Sequence, residues 1–129
     1  MERPRRRMSD LRQQLGNWGE ERAAKFLQAR GYEIVERNWR CAAGELDLIA
    51  WEGECLVFVE VRTRRSRRYG APEESVTPAK QARLIELAQI YLQEHPELEG
   101  DWRIDVVAVE LRRGLPPRIN LIRSAVMGQ

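Results

Sequence analysis

Two segments with the composition of β-strands, Glu45 to Trp51 and Cys55 to Arg64, flank the step Gly53-Glu54, and that two-residue step dictates how they pair. Gly in first place suits a type II′ turn, whose shape continues the twist of an antiparallel hairpin. With Glu52 facing Cys55, Asp47 falls opposite Glu60 and Glu45 opposite Arg62. Side chains alternate between the faces of a sheet. Those four are therefore expected on one face, with Leu46, Leu48, Val57, Val59 and Val61 on the other. Two carboxylates across one rung repel by about a few tenths of a kcal/mol, so a stable fold needs a cation between them. A divalent ion, Mg²⁺ or Mn²⁺, is the candidate. Hard cations take carboxylate, water and phosphate oxygens, which is the donor set of phosphodiester hydrolysis.

The rest of the chain supplies the frame. Leu11, Leu15, Trp18, Ala23, Phe26 and Leu27 recur at helical spacing and Gly31 follows as a helix stop, which predicts a helix over roughly 9–30. Tyr32 to Arg40 alternates like a strand, and the two segments of the hairpin follow. From Arg65 to Val76 the chain is polar, with Gly70 and Pro72, and reads as a mobile loop. Thr77-Pro78 opens a second helix, with Ala82, Ile85, Ala88 and Leu92 as its apolar face and His95-Pro96 as its end. Trp102 to Leu111 and Arg118 to Ile122 are two further strands. The order αβββαββ implies an α/β fold, a mixed sheet with a helix on each face. The 129 residues, 43% of them hydrophobic, suffice for one core. The expected organisation is a basic tail over 1–8, one domain over 9–123 and a short tail over 124–129.

Charge and cysteine content narrow the function classes. The net charge of +2 says little, but its distribution is uneven: Arg3, Arg5, Arg6 and Arg7 cluster at the start, and Arg62, Arg64, Arg65, Arg67 and Arg68 cluster at and just past the end of the third strand with no acidic residue among them. Lysine occurs only as Lys25 and Lys80, so a single arginine carries little information. No apolar run approaches the roughly 20 residues of a membrane span, and the basic N-terminus continues into polar Ser9 to Gln14 rather than a signal-peptide core. A cytoplasmic location is expected. Cys41 and Cys55 offer neither a disulfide framework nor a zinc spacing and read as reduced thiols, Cys55 in the core.

Gly16-x-x-x-Glu20-x-x-Ala23, Gly31-Tyr32-x-Ile34, Asn38-x-Arg40, Gly44-Glu45-x-Asp47-Leu48-Ile49 and Val57-Phe58-Val59-Glu60-Val61-Arg62-x-Arg64 together resemble the bacterial YraN-like family of uncharacterised proteins. That family is similar to archaeal Holliday junction resolvases and to the restriction-endonuclease-like superfamily. The likeness runs from about Gly16 to Leu111. It implies a restriction-endonuclease-like fold with Asp47 and Glu60 as metal ligands, the backbone carbonyl of Val61 as a further ligand, and Glu20 and Glu45 as additional acidic members. The superfamily usually has Lys two residues after the second carboxylate; here Arg62 stands there. Lys can orient the attacking water or stabilise the charged transition state, and Arg only the second. Lys80, at the start of the second helix where a helix N-terminus attracts phosphate, is the candidate for the missing amine, with Gln81 beside it.

Plainer readings stand beside these. Asp47 and Glu60 fit an ion-pair lattice with Arg62 and Arg40, Glu45 a simple partner of Arg62, Glu20 a solvated helix residue, Lys80 and Gln81 an ordinary exposed first turn, and Arg64 to Arg68 a solvated loop. Trp18 and Trp102 read as core and His95 as a helix-end residue. Asp105 reads as the partner of an arginine rather than a further site carboxylate. Three functions follow: a Mg²⁺- or Mn²⁺-dependent endonuclease or nuclease-fold DNA-processing protein, with branched DNA, duplex ends, single strands and RNA all open as substrates; a nucleic-acid-binding module of the same fold without turnover; and a protein–protein adaptor. The resolvases are dimers, which makes a homodimer one expected assembly.

Overall fold

The computed structural model describes residues 8–65 and 76–124. Its elements are α1 (Met8–Ala29), β1 (Glu33–Cys41), β2 (Gly44–Glu52), β3 (Cys55–Arg64), α2 (Pro78–Glu94), β4 (Trp102–Glu110) and β5 (Arg118–Ile122), the αβββαββ order predicted above. Met8 already belongs to α1, one residue before the helix start expected from the sequence. The remaining tail residues, 1–7 and 125–129, lie outside the described residues, as does the predicted loop over 66–75.

Local chemistry sets the helix ends. Past α1, Gly31 takes φ +92°, and Tyr32 N–H reaches back to the Leu27 carbonyl at 3.0 Å. Thr77 caps α2, its hydroxyl oxygen accepting the Lys80 N–H at 3.2 Å, while Pro78 fills the first turn, where no N–H is missed.

The strands form one sheet in the order β1-β2-β3-β4-β5. Neighbours are antiparallel except β3 and β4, which are parallel and joined by α2, because parallel neighbours need a crossover. Gly53 has φ +59° and Glu54 a negative φ, as a type II′ turn requires, and the predicted register holds from Glu52↔Cys55 to Leu48↔Val59.

A helix covers each face. On one, Ala23, Ala24 and Leu27 of α1 pack with Tyr32, Leu48, Ala50, Val57, Val59, Val107 and Val109. On the other, Leu84, Leu87, Ala88 and Tyr91 of α2 pack with Trp39, Leu46, Ile49, Leu56, Phe58 and Ile104. Each fully buried Leu, Val or Phe stabilises by about 1.5–3 kcal/mol. The buried face of α2 is centred on Leu84, Leu87, Ala88 and Tyr91; of the predicted stripe, Ala88 is buried, Ile85 and Leu92 pack half-buried against the same core, and Ala82 is exposed. Both stripes recur at helical spacing; the observed one wins because Tyr91 wedges edge-on against Trp39 and Phe58, with centroids 5.4 and 5.6 Å away.

Asp105 is wholly buried on the α1 face and paired with Arg103, as expected, through Nε to Oδ1 at 2.9 Å. Tyr32 Oη and the Ser124 N–H also donate to it. Trp18 and Trp102 pack against the two cores, and His95 stacks on Tyr91 at the end of α2. Cys55 is half-buried against the α1 core, and both thiols are free. No helix among the described residues is long and apolar enough to cross a membrane.

Candidate functional site

The β2–β3 ladder stops at Leu48↔Val59. Beyond it β2 continues beside β1 to Cys41↔Gly44, and β3 continues beside β4 to Arg64↔Glu110. The sheet forks, and Asp47 and Glu60, the next rung, sit in the fork. In place of a ladder bond, the Val61 N–H donates to Oδ2 of Asp47 at 2.8 Å. Val61 thus meets Asp47 through its amide.

A break in alternation accompanies the fork. Arg37 donates to Glu21 on α1 at 2.8 Å, yet Trp39, two residues on, packs with α2. Across from them Leu48 lies in the α1 core and Leu46 in the α2 core. Residues two apart on a regular strand share a face, so both strands rotate at the step between the Arg37↔Leu48 and Trp39↔Leu46 pairs. Asn38, with φ +54°, sits at that step and turns the chain. The expectation that Leu46 shares a face with Leu48 is overturned for this reason.

The Asp47 and Glu60 carboxyl groups are close enough to share a proton. Burial pushes the Asp47 carboxyl far above the usual carboxylate range; its hydrogen bond with Glu60 and that residue's charge push it further, the Val61 N–H opposes them, and the charge of Glu20 adds to the rise. Glu20 comes from α1, which approaches β3 so closely at Gly19 that a Cβ there would overlap the Thr63 side chain. With the Asn38 amide nitrogen turned toward Glu20, it donates to both carboxylate oxygens at 3.2 and 3.0 Å. Burial raises the Glu20 carboxyl above its ordinary value, and this hydrogen bond works against the rise.

Of the two lysines in the chain, one is here: Lys80 Nζ lies 3.5 Å from Oε2 of Glu60. Its neighbour Gln81 turns its amide to the Val76 carbonyl at 3.1 Å, holding the start of α2. Glu45 does not face Arg62. Because the ladder has ended, Glu45 pairs with Arg40 on β1, Nε to Oε2 2.9 Å, while Arg62 lies beside Ala108 of β4. Arg40 therefore serves Glu45 in this arrangement. Arg64 ends β3 half-buried, Arg65 is exposed just past it, and Arg67 and Arg68 lie outside the described residues.

Gly44, Glu45, Asp47, Glu60, Lys80, Arg83, Leu84 and Leu87 line a cavity of about 210 Å³. Arg83, which the sequence reading passed over, donates through Nη1 to the Ala43 carbonyl at 2.8 Å and closes one side. Its spacing of three from Lys80 on a helix was the available signal. A larger concavity of about 510 Å³, at the far pole beside Trp51, Gly53 and Glu54, holds none of these groups.

Among the described residues no three His, Cys, Asp or Glu side chains form a metal cage. Asp47 and Glu60 offer two hard oxygen donors, which fits an ion that characteristically takes one or two carboxylates and fills its shell with water and phosphate.

Over residues 19–109 the chain matches the uncharacterised protein family UPF0102. It belongs to that family. The UPF0102 protein of Roseiflexus castenholzii is 54% identical over 106 residues, covering 81% of this chain and 85% of that one. Those of Renibacterium salmoninarum and Symbiobacterium thermophilum are 48% and 50% identical over 111 and 115 residues, covering 86% and 89% of this chain and 94% and 98% of theirs. The UPF0102 match takes in Glu20, Asn38, Asp47, Glu60 and Lys80.

Proposed function

We propose that the protein is a Mg²⁺- or Mn²⁺-dependent endonuclease, or a DNA-processing protein of that kind, that hydrolyses phosphodiester bonds. The observation that carries this reading is the meeting of Asp47 and Glu60 in the fork of the sheet with Lys80 against Glu60. Asp47 and Glu60 would hold the ion, with the Val61 carbonyl as a further donor and Glu20 as an additional acidic contributor nearby. When bound, such an ion neutralises charge on a phosphate and makes water a stronger nucleophile. The Val61 amide keeps Asp47 oriented, and the ion relieves the repulsion between the two carboxylates. Lys80, once Glu60 has another counter-charge, is free to meet a phosphate oxygen at the N-terminal turn of α2, where the helix dipole also favours an anion. Arg62, Arg64, Arg65, Arg67 and Arg68 would attract the nucleic-acid backbone that the carboxylates alone repel. Branched DNA is within this reading, and a two-fold branch would call for a homodimer; a chromosomal substrate places the protein in the cytoplasm.

A second reading, binding of nucleic acid without turnover, is favoured by Arg62 in the position where the nucleases it resembles carry Lys. The test is a cleavage assay on branched, duplex and single-stranded DNA and on RNA, with and without Mn²⁺, comparing wild type with Asp47→Ala. Mn²⁺-dependent cleavage lost in the variant supports the endonuclease; absence of cleavage in wild type with Mn²⁺, or equal cleavage by both proteins, rules it out.

A further inference from the structure

We propose that the loop between β4 and β5 is a nucleic-acid contact, in which Leu115 packs on a base left exposed where the duplex stack is interrupted and Arg113 meets a neighbouring phosphate. The inference rests on the nucleic-acid reading above and deepens it by naming the feature of the substrate that is recognised. Among the described residues only two large apolar side chains are exposed, Val35 at 45% and Leu115 at 58%. Val35 lies within β1, whereas Leu115 is the tip of a loop that its own chain holds in shape. The Leu115 N–H donates to the Arg112 carbonyl at 3.2 Å, across a turn whose third residue, Gly114, takes φ +72°. The Arg112 guanidinium reaches over the turn to the Pro116 carbonyl, from Nε at 3.0 Å and from Nη2 at 2.8 Å. Pro116-Pro117 then restricts the exit.

Place and charge identify the partner. β3 and β4 are parallel and end together at Arg64↔Glu110, and the Leu111 N–H donates to the Arg64 carbonyl at 2.7 Å. The loop therefore leaves the sheet at the end toward which β3 runs from Glu60. From Glu60 to Arg64 a strand advances about 13 Å, the length of about four steps along one DNA strand. Arg65 and Arg113 are both exposed at this end, Glu110 is buried, and from Leu111 to the end of the sequence no Asp or Glu occurs. A second copy of the chain, docked here by two-fold symmetry, would bring these arginines against their own counterparts, whereas a phosphate backbone is attracted to them. An apolar side chain pushed between stacked bases has to unstack them. At a nick, a branch or an end the stack is already broken, so Leu115 gains its contact there without that cost. A loop already fixed in shape also loses little freedom on binding.

The test is fluorescence anisotropy with EDTA present, so that neither an ion nor cleavage enters, on a continuous duplex, the same duplex with a nick, and a four-way junction. Burying part of a leucine side chain corresponds to about five- to tenfold in affinity. Leu115→Ser is expected to bind the nicked and branched DNA more weakly by about that factor, with binding to the continuous duplex and the salt slope nearly unchanged. Arg113→Gln is expected to weaken binding to every DNA and to flatten the slope of log K against log salt by about 0.9. Both side chains are exposed, so both variants should keep the wild-type melting temperature. Wild-type affinity of Leu115→Ser for the nicked and branched DNA, an equal loss on all the DNAs, or an unaltered slope in Arg113→Gln overturns the assignment. So does a dimer that Leu115→Ser converts to a monomer in sedimentation, which makes this leucine an interface between copies. A wild-type protein that binds none of the DNAs overturns the nucleic-acid reading itself, and the assignment with it; the wild-type arm alone separates the two failures.

Discussion

The amide of Val61 donates to the side chain of Asp47, at 2.8 Å, where a regular hairpin would have placed a strand-to-strand bond. The carboxylate thus finishes the ladder and opens the fork at once. It is held half-buried beside a second carboxylate, and two consequences for stability follow from that placement.

The first concerns pH. Burial and Glu60 raise the Asp47 carboxyl well above its ordinary value near 4. Between that value and the raised one, the folded protein holds a proton that the unfolded chain has released, so stability falls as pH rises through the window, by about 1.4 kcal/mol for each full pH unit. Asp47→Asn keeps an oxygen for the Val61 N–H and removes the titrating proton. Urea melts at pH 4, 5.5 and 7 without metal should show the variant more stable than wild type at pH 7, with the gap closing toward pH 4. A variant less stable than wild type at pH 7 would contradict a carboxyl that folding forces to keep its proton.

The second concerns the cation. Lys80 is 40% exposed and Glu60 11%, so their 3.5 Å pair contributes no more than about 1 kcal/mol. A divalent ion at Glu60 competes with that ammonium group. Lys80→Met should therefore leave the metal-free melting temperature nearly unchanged and tighten Mn²⁺ binding up to about fivefold, the equivalent of about 1 kcal/mol, while slowing any cleavage. Thermal shifts titrated with Mn²⁺ read this directly, since an ion that binds only the folded state raises stability with its concentration. Weaker Mn²⁺ binding in Lys80→Met would mean that the ammonium group supports the ion rather than competing with it.

How much of this the chain announces depends on the range of the forces involved. The turn at Gly53-Glu54 is local chemistry, and from it the register, the Asp47–Glu60 meeting and the hairpin follow correctly. The fork does not follow, because it arises where β1 draws β2 one way and β4 draws β3 the other, and nothing in the hairpin encodes its neighbours. The consequences misread from sequence share that origin: Leu46 on the wrong face and Glu45 assigned to Arg62 instead of Arg40. Asn38 could be flagged as a residue that tolerates a left-handed backbone, but an Asn in a strand does not declare that it will adopt one. The face of α2 was ambiguous for a different reason: two apolar stripes share Ala88, and only the aromatic packing of Tyr91 decides between them.

Packing also controls the approach of α1 to the site. A methyl group at Gly19 would overlap the Thr63 side chain, so Gly19→Ala must lift the helix or displace Thr63. Overpacking of this kind typically costs about 1–3 kcal/mol. Because Glu20 is the next residue, the same displacement should weaken Mn²⁺ binding as well. Adding Thr63→Ala makes room, so the double variant should recover much of both losses in denaturant melts and in Mn²⁺ titration. If Gly19→Ala is as stable as wild type, the close approach does not set the position of Glu20.

The arginines at the end of β3 bear on substrate. Arg65 is exposed five residues after Glu60, and Arg67 follows in the chain outside the described residues. A phosphodiester must come close to two carboxylates that repel it, and cations along its path offset that repulsion. Each arginine that neutralises a duplex phosphate releases condensed counterion, contributing about −0.9 to the slope of log K against log salt. Arg65→Ala combined with Arg67→Ala should therefore weaken binding to DNA of any sequence and flatten the slope by about 0.9 for each contact removed, up to about 1.8. Phosphate contacts carry no direct sequence information, so preference should appear among DNA shapes rather than sequences. Asp47→Ala, which takes no cation from the same mouth, should leave Mg²⁺-free binding intact or tighter. Fluorescence anisotropy with labelled duplex and branched DNA from 50 to 200 mM salt, on the order of the range where such slopes are resolved, makes both comparisons. An unaltered affinity and slope in the double arginine variant would assign these side chains to a solvated surface and move the path of the substrate elsewhere on the protein.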